Sequence, residues 1–96
     1  MTVNLGEISR RLGIPSEELM KKGILSFVAQ EIRLAEWDIA DIKERYGASS
    51  PRDLQSKIEG REIASHPAWE DLIHWENLEN YISRLRAIEE DVKTAA

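Results

Sequence analysis

Ile24-Leu25-Ser26-Phe27-Val28-Ala29-Gln30-Glu31-Ile32-Arg33-Leu34-Ala35-Glu36-Trp37-Asp38-Ile39-Ala40-Asp41-Ile42-Lys43-Glu44-Arg45-Tyr46 is the stretch from which the fold can be read. Leu25, Val28, Ile32, Ala35, Ile39, Ile42 and Tyr46 recur at alternating intervals of three and four. That is the a/d spacing of a heptad helix. It predicts one long helix over about 24–46, with Gly47 as its left-handed cap. The stripe can face the chain's own core or form a seam with a second copy. Phe27, Leu34 and Trp37 fall on the roughly opposite side at about 100° per residue. A helix apolar on two opposed faces needs two partners. We therefore expect a homo-oligomer, dimer or higher, that self-associates through Phe27, Leu34 and Trp37. The alternative is a short neighbouring helix that covers Trp37.

The flanking segments extend the helical pattern. Leu5, Ile8 and Leu12 share a face, and Gly13 follows as a stop, which predicts a short helix over 5–12. Pro15 and Ser16 open another over 16–22, with Glu17 and Glu18 in its first turn and Gly23 at its end. Ser50-Pro51-Arg52-Asp53 reads as a capped start for a third short helix over 51–59, carrying Leu54 and Ile58 and stopping at Gly60. Residues 61–66 form a linker. Pro67 then opens a second long helix over 67–92, with a main stripe of Trp75, Leu78, Ile82 and Leu85 widened by Tyr81, Ile88 and Val92. Trp69 and Ile73 lie off that stripe. No segment alternates as a strand would. The expectation is all-α: two long helices plus three short ones in a single domain over 1–96. Within it, 1–23 form a helical hairpin, 24–60 a long helix plus a short one, and 61–96 an acidic C-terminal helix. The linker permits the long helices to close within one chain or to exchange between subunits.

Composition limits the function classes. The 96 residues contain no cysteine, which removes disulfides and thiolate metal sites. Net charge is −5, the wrong sign for a surface that tracks phosphates. No apolar run approaches the ~20 residues of a membrane span. The start, MTVNLGEISRR, lacks the basic and apolar regions of a signal peptide. These features together suggest a cytoplasmic protein that does not engage membranes. The acidity is also uneven. Residues 1–61 are balanced, with ten acidic and ten basic side chains, while 62–96 hold eight acidic against three basic. The whole surplus sits in the last third.

The chemistry-bearing residues are few. Ser9, Gly13 and Leu19 match helix-turn-helix spacing within 5–22, which makes a DNA-reading transcriptional regulator one alternative. Glu17 and Glu18 would repel phosphates there. Glu70 and His74 share a helical face, but two side chains do not complete a metal site. Arg61 and His66 have the R-x4-H spacing and resemble the motif of HEPN-class ribonucleases, a second alternative. There is no nucleophile elbow and no glycine-rich phosphate loop. We expect no enzyme activity, no cofactor, no metal and no small-molecule substrate. The stretch His66-Pro67-Ala68-Trp69-Glu70-Asp71-Leu72-Ile73-His74-Trp75-Glu76-Asn77-Leu78-Glu79 stands apart, because it combines two tryptophans with four acids. Aromatic side chains rimmed by charge are typical of binding hot spots.

Through Leu12-Gly13-Ile14-Pro15, Lys22-Gly23-Ile24-Leu25, Arg45-Tyr46-Gly47-x-x-Ser50-Pro51, His66-Pro67-Ala68-Trp69-Glu70-Asp71-Leu72-Ile73 and Glu76-Asn77-Leu78-Glu79, the chain resembles a family of small prokaryotic antitoxin-like proteins of type II toxin–antitoxin pairs. The resemblance implies an all-helical, non-catalytic protein that binds and neutralises a cognate toxin. The expected toxin is a ribonuclease, whose basic cleft would receive the acidic C-terminal helix. The residues expected on that surface are Trp69, Glu70, Asp71, Ile73, Glu76 and Glu79.

Overall fold

The computed structural model describes residues 3–95. They form four helices and no strand: α1 (Leu5–Leu12), α2 (Ser16–Tyr46), α3 (Pro51–Glu59) and α4 (Ser65–Thr94). The all-α expectation holds. The count of two long and three short helices does not.

The difference lies at Gly23. The helix opened by Ser16 continues through this glycine into the heptad stretch, so α2 is a single helix of 31 residues. A glycine inside a helix costs only about 1 kcal/mol relative to alanine. Good helix formers surround it, namely Met20, Lys21, Lys22 and Leu25. The glycines that do end helices behave differently. Gly13 and Gly47 adopt the left-handed conformation, with φ of 70° and 61°, which lets the chain leave the helix without a Cβ clash. Residues 16–23 thus belong to the long helix, and the N-terminal hairpin consists of α1 turned back on the start of α2.

The other starts follow local chemistry. The Asn4 side chain accepts the backbone N–H groups of Gly6 and Glu7 at 2.9 and 3.3 Å. Ser50 Oγ accepts from the N–H of Asp53 at 3.0 Å. Asp53 reciprocates on the N–H of Ser49 at 2.9 Å, one residue earlier than the usual capping box. In α4, His66 is non-helical (φ −123°, ψ 124°), so the uninterrupted helix begins at Pro67 as the sequence predicts.

Helices α2 and α4 pack against each other as an antiparallel hairpin within one chain. Asp71 meets Arg45 and Tyr46 near the end of α2, Tyr81 meets Glu31, and Leu85 packs on Val28 and Ile32. The heptad stripe is the core. Val28, Ile32, Ala35, Ile39 and Ile42 are buried, facing Ala68, Leu72, Trp75 and Leu85 from α4.

The hairpin has two unlike ends. At the closed end, α3 packs on α4 and brings Leu54, fully buried, to Ile39, Ile42, Ala48, Leu72 and Trp75. At the open end only two helices share the core, formed by Val28, Ile32 and Leu85 with Tyr81 and Ile82. Helix α1 buries none of its residues. Leu5 and Leu12 are 38 % and 58 % exposed. Ile88, assigned to the α4 core stripe by sequence, is also exposed. The result is elongated, 60 × 31 × 17 Å, with a radius of gyration of 19.3 Å. A compact chain of this length has a radius of about 12–13 Å.

Two stability tests follow from this packing. A Cβ at Gly23 meets nothing within 4 Å. Gly23→Ala should therefore stabilise the protein by roughly 0.5–1 kcal/mol in urea unfolding, whereas a true stop would lose stability. Trp75→Ala should cost about 3–5 kcal/mol by the same measurement, since Trp75 is fully buried.

Candidate interaction surface

The first turns of α4 carry the expected partner-binding residues, and helical register divides them into two groups. Trp69 and Ile73 stand one turn apart and are each 46 % exposed. Glu76 continues the same flank and is exposed, and Glu70 lies beside Trp69, also exposed. These four form one outward surface.

Asp71 and Glu79 serve the fold instead. The Asp71 carboxylate accepts from Arg45 Nη1 at 2.9 Å and from the Tyr46 hydroxyl, and its side chain is only 22 % exposed. Arg45 also bonds Asp41 and lies 5.8 Å from the centre of the Tyr46 ring. This clasp joins the end of α2 to the start of α4. Glu79 Oε1 accepts the indole N–H of buried Trp75 at 3.2 Å, which satisfies the one polar atom of that side chain. Sequence spacing alone could not separate Asp71 from Glu70, because the partner of Asp71 is remote in sequence.

Glu70 pairs with His66 Nδ1 at 2.9 Å rather than with His74. No group of three or more potential metal-binding side chains occurs among the described residues. Arg61 occupies the turn after α3 with a φ of 61°. His66 lies at the kink before Pro67, and no hydrogen bond or ion pair joins it to Arg61 among the described residues. In residues 5–22, Glu17 and Glu18 occupy the first turn of α2, and Glu18 pairs with Lys22 at 3.3 Å.

The expected self-association residues are all in solvent. Phe27, Leu34 and Trp37 are 60 %, 42 % and 64 % exposed, and no neighbouring helix covers Trp37. Met20 and Ile24 are exposed too. The sequence reading missed Met20 because it placed that residue on a separate helix. The overlooked signal is the seven-residue spacing of Met20, Phe27 and Leu34. Met20 and Ile24 also line an open groove of about 530 Å³ with Val92 of α4, together with the charged Glu17, Glu18, Lys21 and Asp91.

The architecture is therefore that of a small helical hairpin protein with unpaired apolar faces. No described helix is long and apolar enough to cross a membrane. The chain belongs to the Uncharacterized protein MJ0235 family, whose model matches residues 1–96. No curated protein and no solved structure matches it.

Both tyrosines that bridge the hairpin have raised pKa values. For Tyr46 the main cause is burial, followed by its hydrogen bond to Asp71. For Tyr81 it is the bond to Glu31, at 2.6 Å, followed by burial. A raised phenol pKa means the native state holds its proton longer than the unfolded chain. The resulting stabilisation is complete below the ordinary value of 10.0 and disappears as pH rises through the higher native values. Thermal melts from pH 8 to 11.5 should show the wild type losing Tm faster above pH 10 than a Tyr46→Phe/Tyr81→Phe variant. Parallel decline of the two would contradict the assignment.

Proposed function

We propose that the protein is a non-catalytic, oligomeric interaction module whose α4 surface captures a partner protein. The partner that best fits is a toxin ribonuclease with a basic cleft, neutralised by steric and electrostatic occupation. The observation that carries the reading is the adjacent pair Trp69 and Ile73, each 46 % exposed, between the acidic Glu70 and Glu76. Burying a tryptophan and a branched aliphatic at the centre of an interface supplies affinity. The two flanking carboxylates favour a basic partner and speed encounter with it. The resemblance to antitoxin-like proteins points the same way, as does the acidic surplus in residues 62–96.

Self-association through Phe27, Leu34 and Trp37 belongs to the same reading. Their exposure on a thin molecule supports it. Because α4 supplies half of the core, substitutions on its outer flank test the proposal better than its removal. Binding to the product of the adjacent gene is measured by calorimetry. Trp69→Ala should weaken it by about 30-fold or more, the effect of losing a hot spot of about 2 kcal/mol. Glu70→Gln/Glu76→Gln should slow association and flatten its salt dependence. Unchanged affinity in Trp69→Ala and Ile73→Ala, with helicity retained, would reject the α4 surface.

A further inference from the structure

Asp71 lies two residues from Trp69 and two from Ile73. At about 100° per residue it stands about 160° around α4 from each of them. Ala68 and Leu72, 0 % and 3 % exposed, occupy the face between Asp71 and Trp69. The same two turns are therefore held from α2 on one flank and present Trp69 and Ile73 on the other.

Little else fixes the first of these turns. Helices α1 and α3 open on the side-chain caps of Asn4 and Ser50, whereas no side chain caps the start of α4. Pro67 begins the uninterrupted helix directly after the non-helical His66. An uncapped first turn frays, because its leading N–H groups have no partner within the helix. Ala68 is small, and its burial removes little apolar area from water. The His66–Glu70 pair lies in solvent, with side chains 83 % and 56 % exposed, and adds little. The firm tie is the Asp71 carboxylate, which accepts from Arg45 Nη1 at 2.9 Å and from the Tyr46 hydroxyl. These bonds to a charged acceptor belong to the stronger class, and the Asp71 side chain is only 22 % exposed. Asp41, one turn earlier on α2, grips the same guanidinium and steadies the other side of the clasp.

We infer that Asp71 is a positioning residue for the α4 interaction surface. Clasped by Arg45 and Tyr46, it holds the turn that presents Trp69 in place before a partner arrives, from a flank the partner does not touch. This rests on the α4 surface proposed above. A tryptophan on an ordered turn loses less entropy on binding than one on a fraying turn.

Hydrogen exchange on the full chain tests the positioning without a partner. The amides of residues 71–74 bond to the carbonyls of 67–70 and report the turn that carries Trp69. Tyr46→Phe and Asp71→Ala should speed exchange there by roughly tenfold or more, and by more than at Ile39 and Ile42 in the central core. Alanine is a better helix former than aspartate, so faster exchange in Asp71→Ala does not come from lost helix preference. Equal acceleration at 71–74 and in the central core would show that the clasp serves global stability alone, and no acceleration would show that it holds nothing. Either result overturns the inference. The link to binding is read by a double-mutant cycle against the product of the adjacent gene. Asp71→Ala should weaken binding by up to roughly tenfold in the wild-type background and much less in Trp69→Ala. Unchanged affinity in Asp71→Ala, or an equal loss in both backgrounds, overturns the positioning role and leaves the surface standing. A partner that binds Trp69→Ala and Ile73→Ala as tightly as the wild type rejects the surface itself, and this inference with it.

Discussion

The fold depends on one contact surface: the heptad stripe of α2 laid along the inner face of α4. Most of what the chain can bury is there. Trp75 anchors it at the closed end, fully buried, with its indole N–H satisfied by Glu79 of the same helix. The nine-residue α3 is too short to persist alone in water. It is held because Leu54 inserts beside Trp75 and Leu72. The polar links between the helices, Tyr46 to Asp71 and Tyr81 to Glu31, lie at the margins of this seam and fix its register.

Choosing that single seam decides what is left for partners. A chain this small has enough apolar residues for one core, yet its long helices carry more than one apolar face. The molecule is 17 Å thin, so side chains away from the seam have nothing behind them. Tryptophan shows the division best. Trp75 is inside, while Trp37 and Trp69 are 64 % and 46 % exposed on different helices. Two separate apolar patches, one on α2 and one on the first turns of α4, are thereby left uncovered by the chain itself.

Periodicity made much of this legible. The intervals from Leu25 to Tyr46 identified the buried stripe of α2, and the same argument placed Trp75 inside and Trp69 and Ile73 outside. The cap at Ser50 and the opening at Pro67 followed from side-chain chemistry within a few residues. The misreadings have physical causes. Gly23 looked like a stop because glycine ends helices when it turns left-handed, but neighbours with strong helical preference carried the helix through. Leu5, Ile8 and Leu12 share a helical face, as their spacing predicts, but spacing identifies a face and only tertiary packing supplies something to cover it. Asp71 looked like a surface acid because its partners, Arg45 and Tyr46, approach only when α2 and α4 fold together.

The unequal ends of the hairpin give the molecule a gradient of local stability. Opening the three-helix end exposes Leu54, Trp75 and their neighbours together, so it requires something close to global unfolding. The two-helix end, with the unburied α1 beside it, can open at much lower cost. Trp69 and Ile73 stand on the first turns of α4, the end at which α3 packs. Rigidity is thus distributed along the long axis of the molecule like the stiffness of a rod clamped at one end.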